Sequence, residues 1–163
     1  MYQTKFTLSK NRKLSLGLKL IKKKLGNTSI FLSPLGLGTV KFGRNTDVKY
    51  PQKFNILSER ECTEILETAS SVGINYIDTA PSYGASEKKL GKIFSQIGNK
   101  FYIISKVGEN YNKTKGSHYD FRLTHMKETI SKSLENLKVD KLDILLLHLS
   151  NNEINELNNG AIE

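Results

Sequence analysis

With 37% hydrophobic and 25% charged residues among 163, the chain has the composition of one globular domain with a real core, not of a disordered segment. No apolar run approaches the ~18 uninterrupted residues of a membrane span. A single cysteine, Cys62, excludes an internal disulfide framework and fits a reducing, cytoplasmic setting. The net charge of +9 is unevenly placed: residues 1–46 hold ten Lys or Arg and no acid, and the remainder holds 15 basic against 16 acidic residues. A nucleic-acid-binding domain shows its basic excess on the folded body. Here the body is close to neutral, so residues 1–23 read as a solvated basic arm, and neither nucleic acid nor membrane is an expected partner. Lys19, Lys22, Lys23 and Lys24 interrupt the apolar positions of this arm, so it contains no secretory hydrophobic region.

From residue 24 onward a strand–helix alternation begins. Residues 24–33 (KLGNTSIFLS) predict a small hairpin with Gly26 and Asn27 at its turn. Residues 35–39 (LGLGT) predict a short apolar strand whose glycines allow close approach of a ligand or another backbone. A polar loop over 43–57 leads to Ser58, which with Glu61 forms a capping box. Behind it Cys62, Ile65, Leu66, Ala69 and Val72 recur at helical spacing until Gly73. Residues 74–78 predict the second strand. A second helix opens with Ser86 as its expected N-cap, turns Leu90, Ile93, Phe94 and Ile97 inward, and stops at Gly98. Residues 101–106 (FYIISK) predict the third strand and 109–122 a polar loop. A third helix over 124–138 has Met126, Ile130, Leu134 and Leu137 as its apolar stripe. Residues 142–148 (LDILLLH) are the fourth strand.

Near-continuous apolar strands separated by amphipathic helices indicate a parallel sheet covered by helices. No Gly-x-Gly-x-x-Gly follows the first strand, which argues against a dinucleotide-binding doubly wound sheet. Strands two to four each end in a residue able to do chemistry: Asp78, Lys106 and His148. Successive right-handed crossovers put those ends on one rim, as in a barrel. Tyr83 follows Asp78 by five positions.

If these four side chains converge, they form a proton-delivering site. A lysine ammonium beside a phenol draws its pKa below the ordinary value near 10. Asp78 can hold Lys106 in place through a charge-assisted contact. His148 can donate a hydrogen bond to a carbonyl oxygen on which negative charge develops. Singly, each has a plainer role: Tyr83 as a loop residue, Lys106 as a surface cation, Asp78 as a turn cap, His148 as a hydrogen-bonded core residue.

The segments KLGNTSIFLSPLGLGT, IDTAPSYGASEKKLG, FYIISKVG and KLDILLLH, in that order, resemble the first half of an aldo-keto reductase over residues 24–163. The resemblance implies an α/β fold, the N-terminal half of a (β/α)8 TIM-type barrel: a β-hairpin plus four parallel strands alternating with helices. It implies an NAD- or NADP-dependent oxidoreductase acting on a small carbonyl or alcohol. Tyr83 would be the general acid, Lys106 and Asp78 its tuning pair, and His148 the substrate-orienting donor. Gly38, Thr39 and Asp78 would line the nicotinamide-ribose end of the cofactor site, and no metal is implied. A complete barrel of this type needs about 250 residues. The chain is therefore expected to be a truncated form, with residues 152–163 resembling the start of the helix after strand four. Its open strand edges would favour self-association, and a catalytically incompetent half-barrel is the alternative to an active enzyme.

Overall fold

The computed structural model describes residues 20–150; most of the basic arm and the helix start expected at 152–163 lie outside the described residues. A two-stranded antiparallel hairpin comes first, β1 (Lys23–Lys24) with β2 (Phe31–Leu32), turning through Gly26 as expected. Then follow β3 (Leu37–Gly38), a short helix α1 (Val40–Gly43), α2 (Glu59–Ser71), β4 (Tyr76–Asp78), a 3-10 turn (Pro81–Tyr83) and α3 (Ser86–Ile97). The chain continues through β5 (Tyr102–Val107), β6 (Glu109–Asn112), β7 (Gly116–Tyr119), α4 (Leu123–Leu137) and β8 (Ile144–Leu147). The main sheet has the order β3-β4-β5-β8 with every neighbour parallel. These are four strands and their crossover helices, a partial barrel of the expected α/β class.

The core lies where the helices meet the sheet. Leu66 of α2, Ile77 of β4, Leu90 and Ile93 of α3, Ile103 of β5 and Leu137 of α4 are all essentially inaccessible to water. Burying each such side chain contributes roughly 1.5–3 kcal/mol. Local signals agree with the packing. The Ser58 hydroxyl accepts from the Glu61 backbone N–H, while the Glu61 carboxylate accepts from the Ser58 N–H at 2.8 Å, so α2 starts on a full capping box.

Four local expectations need correction. Ser86 is not an N-cap: Ala85 holds that position, and Ser86, the first helical residue, turns its hydroxyl inward to Thr39 Oγ1 and Thr39 O, each at 3.0 Å. The buried line of α4 is Met126, Thr129, Ser133 and Leu137, with Ile130 and Leu134 only half-buried. A spacing of three, four and four residues turns the helix slightly from the one the apolar residues suggest. The short helix α1 was not expected: it fills the residues between the predicted first strand and the predicted loop, overlapping the loop only at Gly43. Residues 109–122 are not a loose polar loop either: β6 and β7 form an antiparallel hairpin whose first residue, Glu109, is buried. Its polar alternation had no apolar side to betray it.

Strand register places the rim residues. Asp78 pairs with Ile104, and Lys106 lies two residues beyond, so both side chains leave the sheet on the same face. Lys106 in turn pairs with Leu146, and His148 again lies two residues beyond. The three residues thus follow a diagonal with a constant step of two, the stagger by which a parallel sheet curls.

Candidate active site

Around Tyr83 the four residues come together. Lys106 Nζ donates to Asp78 Oδ1 at 2.5 Å and to Thr79 O at 3.0 Å. The Tyr83 hydroxyl donates to the same Asp78 Oδ1 at 3.5 Å. The Lys106 ammonium lies 4.9 Å from the centre of the Tyr83 ring, over its face. The His148 ring meets the Tyr83 ring edge-on, with centroids 5.9 Å apart. His148 is anchored by its backbone N–H, which donates to Val107 O at 2.7 Å.

Electrostatics at the phenol run opposite to expectation. Burial, then the Asp78 and Glu109 carboxylates, push the Tyr83 pKa up to about 12 rather than below 10. The ammonium expected to lower it sits over the ring and is already bound to Asp78, which also accepts a hydrogen bond from the phenol. Tyr83 is therefore held fully protonated at neutral pH. It remains a stronger acid than a simple aliphatic alcohol, so it can still deliver a proton to an alkoxide-like oxygen.

A second cluster faces the phenol from the hairpin side. Glu109 Oε2 lies 3.0 Å from His148 Nδ1, and Glu109 Oε1 accepts from Arg44 Nη1 at 3.3 Å and from Ser117 Oγ at 2.5 Å. Burial opposes ionisation of Glu109, but hydrogen bonds from His148, Ser117 and Ser82 outweigh it and hold the carboxyl well below the usual carboxylate range. Arg44 is nearly inaccessible. It donates to Ser82 O (3.2 Å), Thr46 O (3.0 Å) and Asp47 O (2.9 Å), and its guanidinium stacks 3.5 Å from the Tyr111 ring centre. Neither Arg44 nor Glu109 was singled out from sequence. The one available hint was an acid placed directly after the glycine that ends a buried strand.

Main chain forms the seam between the loop after β3 and the turn after β4. A Cβ on Gly84 (φ +64°) would sit 2.3 Å from Gly43 O, and one on Gly43 would sit 2.1 Å from Ser86 N. Only glycine permits this approach.

Three residues were expected to line a cofactor site. Gly38 is exposed, with open space where its Cβ would stand, and Asp78 keeps 34% of its side chain accessible. These two keep the accessibility that a cofactor-lining position needs. Thr39 does not: it is completely buried, its hydroxyl donating to Asp78 O at 3.0 Å and accepting from Ser86. It braces the wall from behind rather than lining it.

The pattern that defines the Aldo/keto reductase family matches residues 34–155. The chain belongs to that family. It is 32% identical over 128 residues to the L-galactose dehydrogenase of Arabidopsis thaliana, covering 76% of this chain and 36% of that one. To the NADH-specific methylglyoxal reductase of Escherichia coli it is 30% identical, covering 76% and 40% of the respective chains. Among solved structures it resembles a putative aldo-keto reductase from Pseudomonas aeruginosa, with a TM-score of 0.75, 38% identity, and 86% of this chain against 53% of that one. An aldo-keto reductase from Bacillus halodurans, solved in its holo form, superimposes with a TM-score of 0.70 at 25% identity, over 88% of this chain and 44% of that one. The chain spans well under half the length of these curated relatives. No described helix is long and apolar enough to cross a membrane.

Proposed function

We propose that this chain carries the proton-transfer side of a nicotinamide-dependent carbonyl reductase or alcohol dehydrogenase, with a small carbonyl or alcohol as substrate. The observation that supports it most is the shared Asp78 oxygen, which takes both the Lys106 ammonium and the Tyr83 hydroxyl. When bound, NAD or NADP supplies or accepts the hydride; Gly38 and Asp78 are the residues that would hold its nicotinamide end. Tyr83 gives its proton to the substrate oxygen in reduction and takes it back in oxidation. Lys106 offsets the negative charge left on the phenol, and Asp78 keeps the ammonium charged and in place. His148 orients the substrate oxygen beside the phenol.

Titration of the full chain with NADH and with NADPH, followed by nicotinamide fluorescence, tests this reading. Binding in the micromolar to millimolar range is expected; no signal with either cofactor at millimolar concentration overturns it.

A second reading, a non-catalytic half-barrel that self-associates, is favoured by one feature. Strand β8 forms one edge of the main sheet, and its Leu145 and Leu146 remain 43% and 41% exposed. Sedimentation velocity separates the two: a stable dimer or larger species supports association, and a monodisperse monomer dismisses it.

A further inference from the structure

Beyond the four residues at the rim, the buried Glu109 carboxylate touches His148 at the ring nitrogen on its closed side. Ionised, a carboxylate is acceptor-only. A bare Nδ1 lone pair facing Glu109 Oε2 at 3.0 Å would put two acceptors against each other. Ser82 Oγ, 3.2 Å from the same nitrogen, could serve a bare Nδ1, but its hydroxyl also lies within reach of the Glu109 carboxylate as a donor. The other groups facing this pair are the Tyr83 ring, the Arg44 guanidinium and Ser117 Oγ, the last two donating to Glu109 Oε1. None of them supplies a proton to Nδ1.

We propose that Glu109 is a positioning residue that locks the neutral His148 ring as its Nδ1–H tautomer, leaving Nε2 bare as the atom that meets substrate. Nε2 makes no hydrogen bond among the described residues. The inference rests on the reductase reading for its catalytic meaning and changes one part of it. A bare Nε2 accepts from an alcohol O–H; it donates to a carbonyl oxygen only when the ring carries a second proton. The neutral ring therefore presents an acceptor beside the substrate oxygen, and the same nitrogen becomes a donor there when the ring takes up a second proton.

The isosteric change Glu109→Gln sharpens the test. Arg44 and Ser117 both donate to Oε1, so the amide oxygen takes that place and the NH2 group turns to His148. That NH2 donates to Nδ1 and forces the proton onto Nε2. Nitrogen-15 NMR of the full chain, with the His148 signals identified by their loss in His148→Asn, reads the tautomer directly. Expected is predominantly Nδ1–H in the neutral wild-type ring and predominantly Nε2–H in Glu109→Gln. A wild-type neutral ring that is mainly Nε2–H overturns the proposal on its own, whether or not the variant folds. A variant that folds and leaves the ratio unchanged also overturns it. The measurement needs no cofactor, so failure of the nicotinamide titration dismisses the reductase reading without deciding the tautomer.

Discussion

Two ion pairs flank Tyr83, and they are built by different means. Lys106–Asp78 joins the tips of adjacent parallel strands, its position set by sheet register, and leaves the acid 34% exposed. Arg44–Glu109 joins the end of α1 to the first residue of the β6–β7 hairpin, 65 positions apart, with side-chain exposures of 7% and 9%. The first pair bears on the phenol directly. The second stands behind His148 and behind the turn that presents Tyr83. The contrast teaches that neighbouring strand tips of the main sheet can hold a charge partly in water because register fixes their backbone, whereas a pair that bridges separate elements outside that sheet is kept in place by burial and several hydrogen bonds.

The largest effect should come from the phenol itself. In a chain competent for turnover, Tyr83→Phe removes the general acid and is expected to lower kcat by about 10²–10⁴-fold with little change in cofactor binding. Equal activity in the variant would move the acid elsewhere.

Next come the two cations, compared in stability. Arg44→Met strips a buried carboxylate of its permanent countercharge and is expected to cost about 3–5 kcal/mol. Lys106→Met leaves an acid that water can reach and should cost less, about 1–3 kcal/mol. Urea midpoints decide; a reversed order would break the comparison.

The same contrast predicts opposite pH limbs. The folded-state pKa of Tyr83 is raised to about 12, so the folded chain keeps a proton that the unfolded chain gives up. Its contribution to stability is complete below about pH 10 and is lost as pH rises toward 12. Glu109 is depressed in the fold, so its contribution is present above the ordinary carboxylate range and is lost as pH falls below it. Thermal melts across pH should show the alkaline limb become shallower in Tyr83→Phe and the acid limb flatten in Glu109→Gln.

Away from the site, Ser58→Ala removes an exposed capping box and should cost about 1 kcal/mol, readable as a small drop in melting temperature.

Legibility followed the same division. Asp78, Lys106 and His148 end apolar strands, and strand ends are visible in sequence because hydrophobicity stops there. The parallel order, the α2 capping box and the stop at Gly98 were visible for similarly local reasons. The β6–β7 hairpin was not, because ENYN and GSHY show no apolar alternation; the first is held by contacts with residues 44–47 and the second by its pairing with the first. The pKa of Tyr83 was misjudged because naming a cation neighbour does not say whether it meets the hydroxyl or the ring face. Thr39 was assigned to the cofactor site by resemblance alone, and its complete burial could not be foreseen because it depends on Ser86, 47 residues away.

The meeting of Gly43 and Gly84 makes a mechanical joint. With no side chains there to slide or repack, the loop at 44–47 and the turn bearing Tyr83 are obliged to travel together. Arg44 follows Gly43 directly and donates to Ser82 O, so a displacement of Arg44 is expected to carry the turn that presents the phenol with it.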